Sequence, residues 1–196
     1  MSHIAVVTAG TSNPSSTQLL GERLGEAVTT ALGEPVELRS VEIRTLAADL
    51  VNRQLTHVPS KALTEAFETL ATAAGVIAVT PIWNASYSGL FKMFFDSLDE
   101  GVMARRPVLV AATGGTQRHS LAIDHALVPL FFYLKATVSP TSVFAATADW
   151  GDAESGLDTR IRRAAADFAE LVRARPGQDA ADEFADFVDF SELLHR

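Results

Sequence analysis

The sequence predicts an α/β fold, a five-stranded parallel sheet with helices on both faces. Three observations carry that expectation. Strand-like and helix-like runs alternate along the chain as β-α-β-α-β-α-β-α-β-α. Two strand candidates, Val76-Ile-Ala-Val79 and Val108-Leu-Val-Ala-Ala112, are short unbroken apolar runs, the pattern of strands buried on both faces. A strand, a tight Pro-bearing loop and a helix follow one another at Thr80-Pro-Ile-Trp-Asn-Ala-Ser-Tyr-Ser-Gly-Leu-Phe-Lys92, the way open α/β sheets build ligand sites at strand ends.

The first strand is Ile4-Ala-Val-Val7, closed by Ala9-Gly10, and a helix over 17–32 follows with Leu19, Leu20, Leu24, Ala27, Val28 and Ala31 at helical spacing. Residues 35–43 alternate well enough for a second strand. Ser60 is an N-cap candidate for a helix over 60–73 carrying Leu63, Phe67 and Leu70. The third and fourth strands are the two runs above, the fifth spans 137–145, and a final helix over 152–175 stops at Pro176-Gly177. Residues 121–134 (LAIDHALVPLFFYL) are apolar nearly all round, so a helix there must be covered on every side, which points to a subunit interface. Pro129 removes a helix hydrogen bond and is expected to kink or bulge that helix, or to divide it into two short ones. The domain is expected to span 1–178. Beyond it, the acidic tail at 179–196 carries Phe184, Phe187 and Val188 on one helical face, and it either folds back, frays or docks.

Composition excludes several function classes. At 196 residues the chain is most simply one domain. A net charge of −8 argues against nucleic acid or an acidic membrane surface as partner. Without cysteine there is no disulfide, thiolate nucleophile or Cys-ligated metal. No basic n-region precedes the first strand, and Asp124 and Lys135 interrupt the longest apolar stretches, so neither a signal peptide nor a membrane span is expected and the cytoplasm is the default location. His3, His57, His119, His125 and His195 are scattered, which suggests no metal site. Neither paired carboxylates nor Gly-x-Ser-x-Gly occur, so no side-chain catalytic residue is expected.

Three loops at strand ends carry the chemistry. Thr8-Ala-Gly-Thr-Ser-Asn-Pro-Ser-Ser-Thr-Gln18 offers hydroxyls and a helix N-terminus, which suit a phosphate or simply cap the helix. It is neither a P-loop nor G-x-G-x-x-G, so ATP and a tightly held dinucleotide are not indicated. In the second loop, Pro81 orients the turn, Trp83 or Tyr87 can lie against an aromatic ring, and backbone N–H groups between Ile82 and Ala85 can face a polar ring edge. Paired glycines in Thr113-Gly-Gly-Thr-Gln117 let the backbone approach a ligand closely, or form a plain tight turn. Their joint occurrence at the ends of strands one, three and four matches the switch-point crevice of a 2-1-3-4-5 sheet.

With Ala9-Gly-Thr11, Ser15-Ser-Thr17, the Thr80–Lys92 stretch with Asp96, Ala112-Thr-Gly-Gly-Thr116 and Leu121-Ala-Ile-Asp-His-Ala-Leu127, the chain resembles the NAD(P)H-dependent FMN reductases over roughly residues 3–175. Within them it looks most like the reductase component of two-component alkanesulfonate-type monooxygenases. The resemblance implies a flavodoxin-like fold, a homodimer or homotetramer, NADPH or NADH as hydride donor, and delivery of reduced FMN to a separate monooxygenase. It matches Thr11, Ser12, Ser15, Ser16 and Thr17 to the family's phosphate loop. Pro81, Ile82, Trp83, Asn84 and Ala85 match its isoalloxazine loop, and Thr113, Gly114, Gly115 and Thr116 its second ring-side loop. Lys92 and Asp96 match its Lys-x-x-x-Asp helix near the subunit interface. The phosphate loop lacks the arginine common in the family, Trp83 replaces a tyrosine, and His125 stands where relatives carry tyrosine in an irregular interface helix. Hydride transfer to a flavin needs no side-chain acid or base. A reductase that keeps FMN bound and acts on quinones or azo compounds, and a flavodoxin-like electron carrier, are the alternatives.

Overall fold

A computed structural model describes residues 3–151 and 154–175. The acidic tail and the stop at Pro176-Gly177 lie outside the described residues. Strand β1 (His3–Thr8) leads to helix α1 (Ser16–Leu32), and β2 (Glu37–Glu42) to α2 (Ala47–Thr56) and α3 (Lys61–Ala71). Next come β3 (Gly75–Trp83), the two-residue β4 (Ser86–Tyr87), α4 (Gly89–Asp96) and β5 (Pro107–Gly114). A π-helical turn (Ile123–Leu127) runs into α5 (Val128–Tyr133), followed by β6 (Thr137–Val138), β7 (Val143–Ala146) and α6 (Leu157–Ala174). Serine side chains start three of the helices: Ser15, Ser60 and Ser88 accept the N–H groups of Gln18, Leu63 and Phe91.

The strands lie in the order β2-β1-β3-β5, with β6 and β7 both against the outer edge of β5. All these pairings are parallel, with Ile4 opposite Gly75 and Val76 opposite Val108. This is the 2-1-3-4-5, flavodoxin-like arrangement. The expected count of five strands is corrected to seven. The fifth strand is in two pieces, because Pro140 between them has no N–H to give the ladder. The other addition, β4, pairs antiparallel with the end of β3.

Side chains alternate across the sheet, as its pleat requires. Ile4, Val6, Ile77, Val79, Leu109 and Ala111 pack with α1 and α6. Ala5, Val7, Val76, Ala78, Val108 and Val110 pack on the other face with Leu50 of α2, Leu63 and Leu70 of α3, and the phenylalanines of α4 and α5. There Phe91, Phe95 and Phe131 meet at centroid distances of 4.7, 5.0 and 6.2 Å. Burying each such ring contributes about 1.5–3 kcal/mol.

Helix α2, whose one buried residue is Leu50, was not picked out from the sequence. The final helix begins at Leu157, after Gly156 at φ 72°, a left-handed conformation that no helix interior accepts. In the apolar segment 121–134 the bulge falls immediately before Pro129: Val128 N–H reaches back to the Ile123 carbonyl, and the irregular helix continues through Tyr133. Ile123, Leu127, Leu130 and Phe131 are buried, whereas Leu121, Phe132 and Tyr133 are 61%, 62% and 85% exposed. No helix among the described residues is long and apolar enough to cross a membrane.

Candidate functional site

At the C-terminal rim of the sheet, the turns after β1, β3, β5 and β7 enclose a cleft of about 350 Å³, a size that accepts one small ligand. Gly10, Thr11, Ser12, Ser16 and Thr17 form one wall. Pro81, Ile82 and Trp83 form the second, Thr113, Gly114 and Gly115 the third, and Thr147 with Trp150 the fourth. Of the residues picked out in the sequence, Ser15, Asn84, Ala85 and Thr116 do not line it.

The first wall is the start of α1. Ser15 is nearly buried beneath the turn, where it caps the helix, and Ser16 and Thr17 present the first helical turn to the cleft. N–H groups there lack intrahelical partners, and the helix end carries partial positive charge. Gly10 is required for this approach, since a Cβ at that position would lie 2.0 Å from Ser15 Oγ and 3.0 Å from Thr17 Cβ. Thr17 and Thr113 share a buried hydroxyl–hydroxyl hydrogen bond of 2.8 Å that ties the first wall to the third. Either Thr17→Val or Thr113→Val should cost about 1–2 kcal/mol in denaturant unfolding, and the double variant less than the sum, because a lone buried hydroxyl is worse than none.

The second wall ends in a hairpin. Trp83 pairs with Ser86, and the two residues between them, Asn84 and Ala85, have φ of 48° and 67°. Two consecutive left-handed residues make the tight turn that matches strand twist. Alanine in that conformation costs roughly 1–2 kcal/mol, so Ala85→Gly should raise stability by up to about 1 kcal/mol in chemical denaturation. Below the hairpin, the buried Thr80 hydroxyl accepts the Ser88 N–H at 3.1 Å. The hairpin leaves Trp83 at the cleft, 48% exposed.

Thr147 and Trp150 were not found from the sequence. The signal was available: their turn follows the fifth strand and so belongs to the same rim as the other loops. Buried Asp149 holds this turn. Its carboxylate accepts the Ala146 N–H at 2.8 Å and Gln117 Nε2 at 3.2 Å, and pairs with Arg160 Nη2 at 3.0 Å. Gly114 is packed on Phe144, where a Cβ would come within 2.7 Å of the ring.

Among the described residues no titratable side chain lines the cleft. His119 sits in a 3₁₀ turn and His125 in the π-helical turn, both exposed and outside the cleft. Lys92 and Asp96 form a partly exposed i, i+4 pair at 2.6 Å on α4, worth a few tenths of a kcal/mol. Among the described residues no group of three His, Asp or Glu is arranged to hold a metal.

The model of the NADPH-dependent FMN reductase family matches residues 2–151. The chain belongs to that family. An FMN reductase (NADPH) from Pseudomonas aeruginosa is 34% identical over 88% of this chain and 93% of its own length. Among solved structures, an oxidoreductase from Corynebacterium diphtheriae superposes with a TM-score of 0.86 at 42% identity, covering 90% of this chain and 99% of that one. The apo form of the NADH:FMN oxidoreductase EmoB gives 0.77 at 26% identity, covering 90% and 92%. This FMN reductase is therefore an oxidoreductase of flavodoxin-like fold that reduces FMN with NADPH or NADH.

Proposed function

We propose that the cleft is where FMN is reduced, with its phosphate toward Thr11, Ser12, Ser15, Ser16 and Thr17. Its ring system then lies between the Pro81–Ala85 turn and the Thr113–Thr116 loop. The observation that carries this reading is the chemistry of the lining: hydroxyls and a helix N-terminus at one end, tryptophan and bare glycine backbone at the other. Those groups suit an anionic tail and a flat ring. FMN supplies the hydride-accepting centre. The protein's own residues hold the tail, orient the ring against Trp83 and leave its outer face open for a nicotinamide. A cleft of about 350 Å³ holds one such molecule, so the nicotinamide approaches over the mouth.

FMN acts here as a dissociating substrate, and its reduced form passes to a separate monooxygenase. Among the described residues the lining contains no lysine or arginine, so the phosphate is held by dipoles and hydroxyls, each contact worth about 1 kcal/mol. Steady-state kinetics with FMN and nicotinamide varied together should give intersecting lines, and the protein should purify colourless. Parallel lines with a tightly bound yellow flavin would instead favour the quinone or azo reductase. A cytoplasmic setting, the default for this composition, completes the reading.

The working unit is a homodimer or homotetramer covering Leu121, Phe132 and Tyr133, large apolar side chains that one subunit leaves exposed on the irregular helix. Phe132→Glu combined with Tyr133→Glu should shift sedimentation toward the monomer. An unchanged sedimentation coefficient would remove this surface as the interface.

A further inference from the structure

We infer that Trp150 is a specificity residue that closes the phosphate end of the cleft and selects the mononucleotide FMN over FAD, whose chain continues past the phosphate. The inference rests on the cleft being the FMN site. Trp150 lines the cleft together with Thr147. Arg23 lies over the Trp150 ring, its Cζ 5.9 Å from the centroid. Arg23 belongs to α1, the same helix whose first turn supplies Ser16 and Thr17. Arg23 lies two turns past Ser16 on the same face of α1, so the indole stands on the α1 side of the cleft, the hydroxyl-rich one.

The wall is held from several sides. Arg23 is ion-paired with Asp158 of α6, and the indole packs on the apolar layer shared by α1 and α6. The preceding residue, Asp149, is anchored through Ala146, Gln117 and Arg160. A tryptophan braced in this way does not swing aside cheaply for a longer ligand. Charge gives the longer ligand no net help, since Arg23 and Asp158 neutralise each other. The second phosphate of FAD would meet an indole, a guanidinium already paired, and the exposed carboxylate of Asp158. A mononucleotide ends before that point.

The experiment compares kcat/KM for FMN and for FAD at saturating nicotinamide in the wild type, Trp150→Ala, Trp150→Leu and Arg23→Met. Trp150→Leu keeps apolar packing should the alanine variant fold poorly. The FMN:FAD ratio should fall by about tenfold or more in the Trp150 variants, mainly through a lower KM for FAD. Arg23→Met loosens the brace on the indole but leaves the Asp158 carboxylate unpaired against the second phosphate, so it should change the ratio less than the Trp150 variants do. A ratio within about twofold of wild type in every variant, with FMN still turned over, would overturn the assignment of Trp150. Absence of FMN binding to the wild type, read by fluorescence, would remove the site itself, and the two failures are thereby distinct.

Discussion

Arg106→Met should lower the unfolding free energy by about 3 kcal/mol, one of the two largest effects expected in this chain. Arg106 is 1% exposed just before β5, at the rim opposite the cleft. Its guanidinium donates to the carbonyls of Ala71 at 2.8 Å and of Val102 at 3.0 Å, and also to that of Ala73. These carbonyls end α3 and the loop before β5, so one side chain fastens the starts of the neighbouring strands β3 and β5. Burial, with Arg175 adding repulsion, pushes the guanidinium down to about 10. The charge is thus held against a desolvation cost by the hydrogen bonds it makes. Arg175 also donates to the Ala73 carbonyl at 3.1 Å, so methionine orphans two carbonyls, at about 1–3 kcal/mol each. Urea unfolding reads this as a lower midpoint at unchanged slope. Turnover per folded molecule should stay at the wild-type level, because the cleft is at the other end of the strands.

Gly10→Ala should reduce kcat/KM for FMN by about tenfold or more while leaving the far-UV spectrum of the fold in place. The added methyl group would fall 2.0 Å from Ser15 Oγ, which must move. Ser15 caps α1 by accepting the Gln18 N–H, a contact worth about 1 kcal/mol. Thr17, 3.0 Å from the same methyl group, holds the hydroxyl bridge to Thr113. One small substitution therefore disturbs the helix start that faces the cleft and its tie to the third wall. Retained affinity for FMN in this variant would mean that the first turn of α1 does not hold the phosphate.

Much of the fold was legible because its strands are buried on both faces. Ile4 to Val7, Val76 to Val79 and Val108 to Ala112 have no room for polar residues, so their runs stand out. Ser60 announced itself as a helix start, the hydroxyl-rich loop holding Ser15 offered itself as another, and the glycine pair at Gly114 and Gly115 stood out, whereas Ser88 was not picked out as a cap. What escaped was structure set by conformation or by single contacts. Asn84 and Ala85 carry no turn glycine, so their left-handed pair was invisible, and with it β4. Helix α2 is short, buries one leucine and was passed over although its apolar side is as segregated as that of α3. Arg106 reads as a surface cation until three carbonyls are brought to it by the fold. Trp150 and Thr147 follow a strand broken at Pro140, so the turn that completes the cleft was not counted among its walls.

The measurement that tests the site most directly is tryptophan fluorescence during titration with FMN. The chain has two tryptophans, and Trp83 and Trp150 both line the cleft. Saturating FMN should therefore quench nearly all of the indole emission, and in both Trp83→Phe and Trp150→Phe the remaining tryptophan should still be quenched. Emission that persists at millimolar FMN, after correction for flavin absorbance, would contradict the placement of the flavin in this cleft.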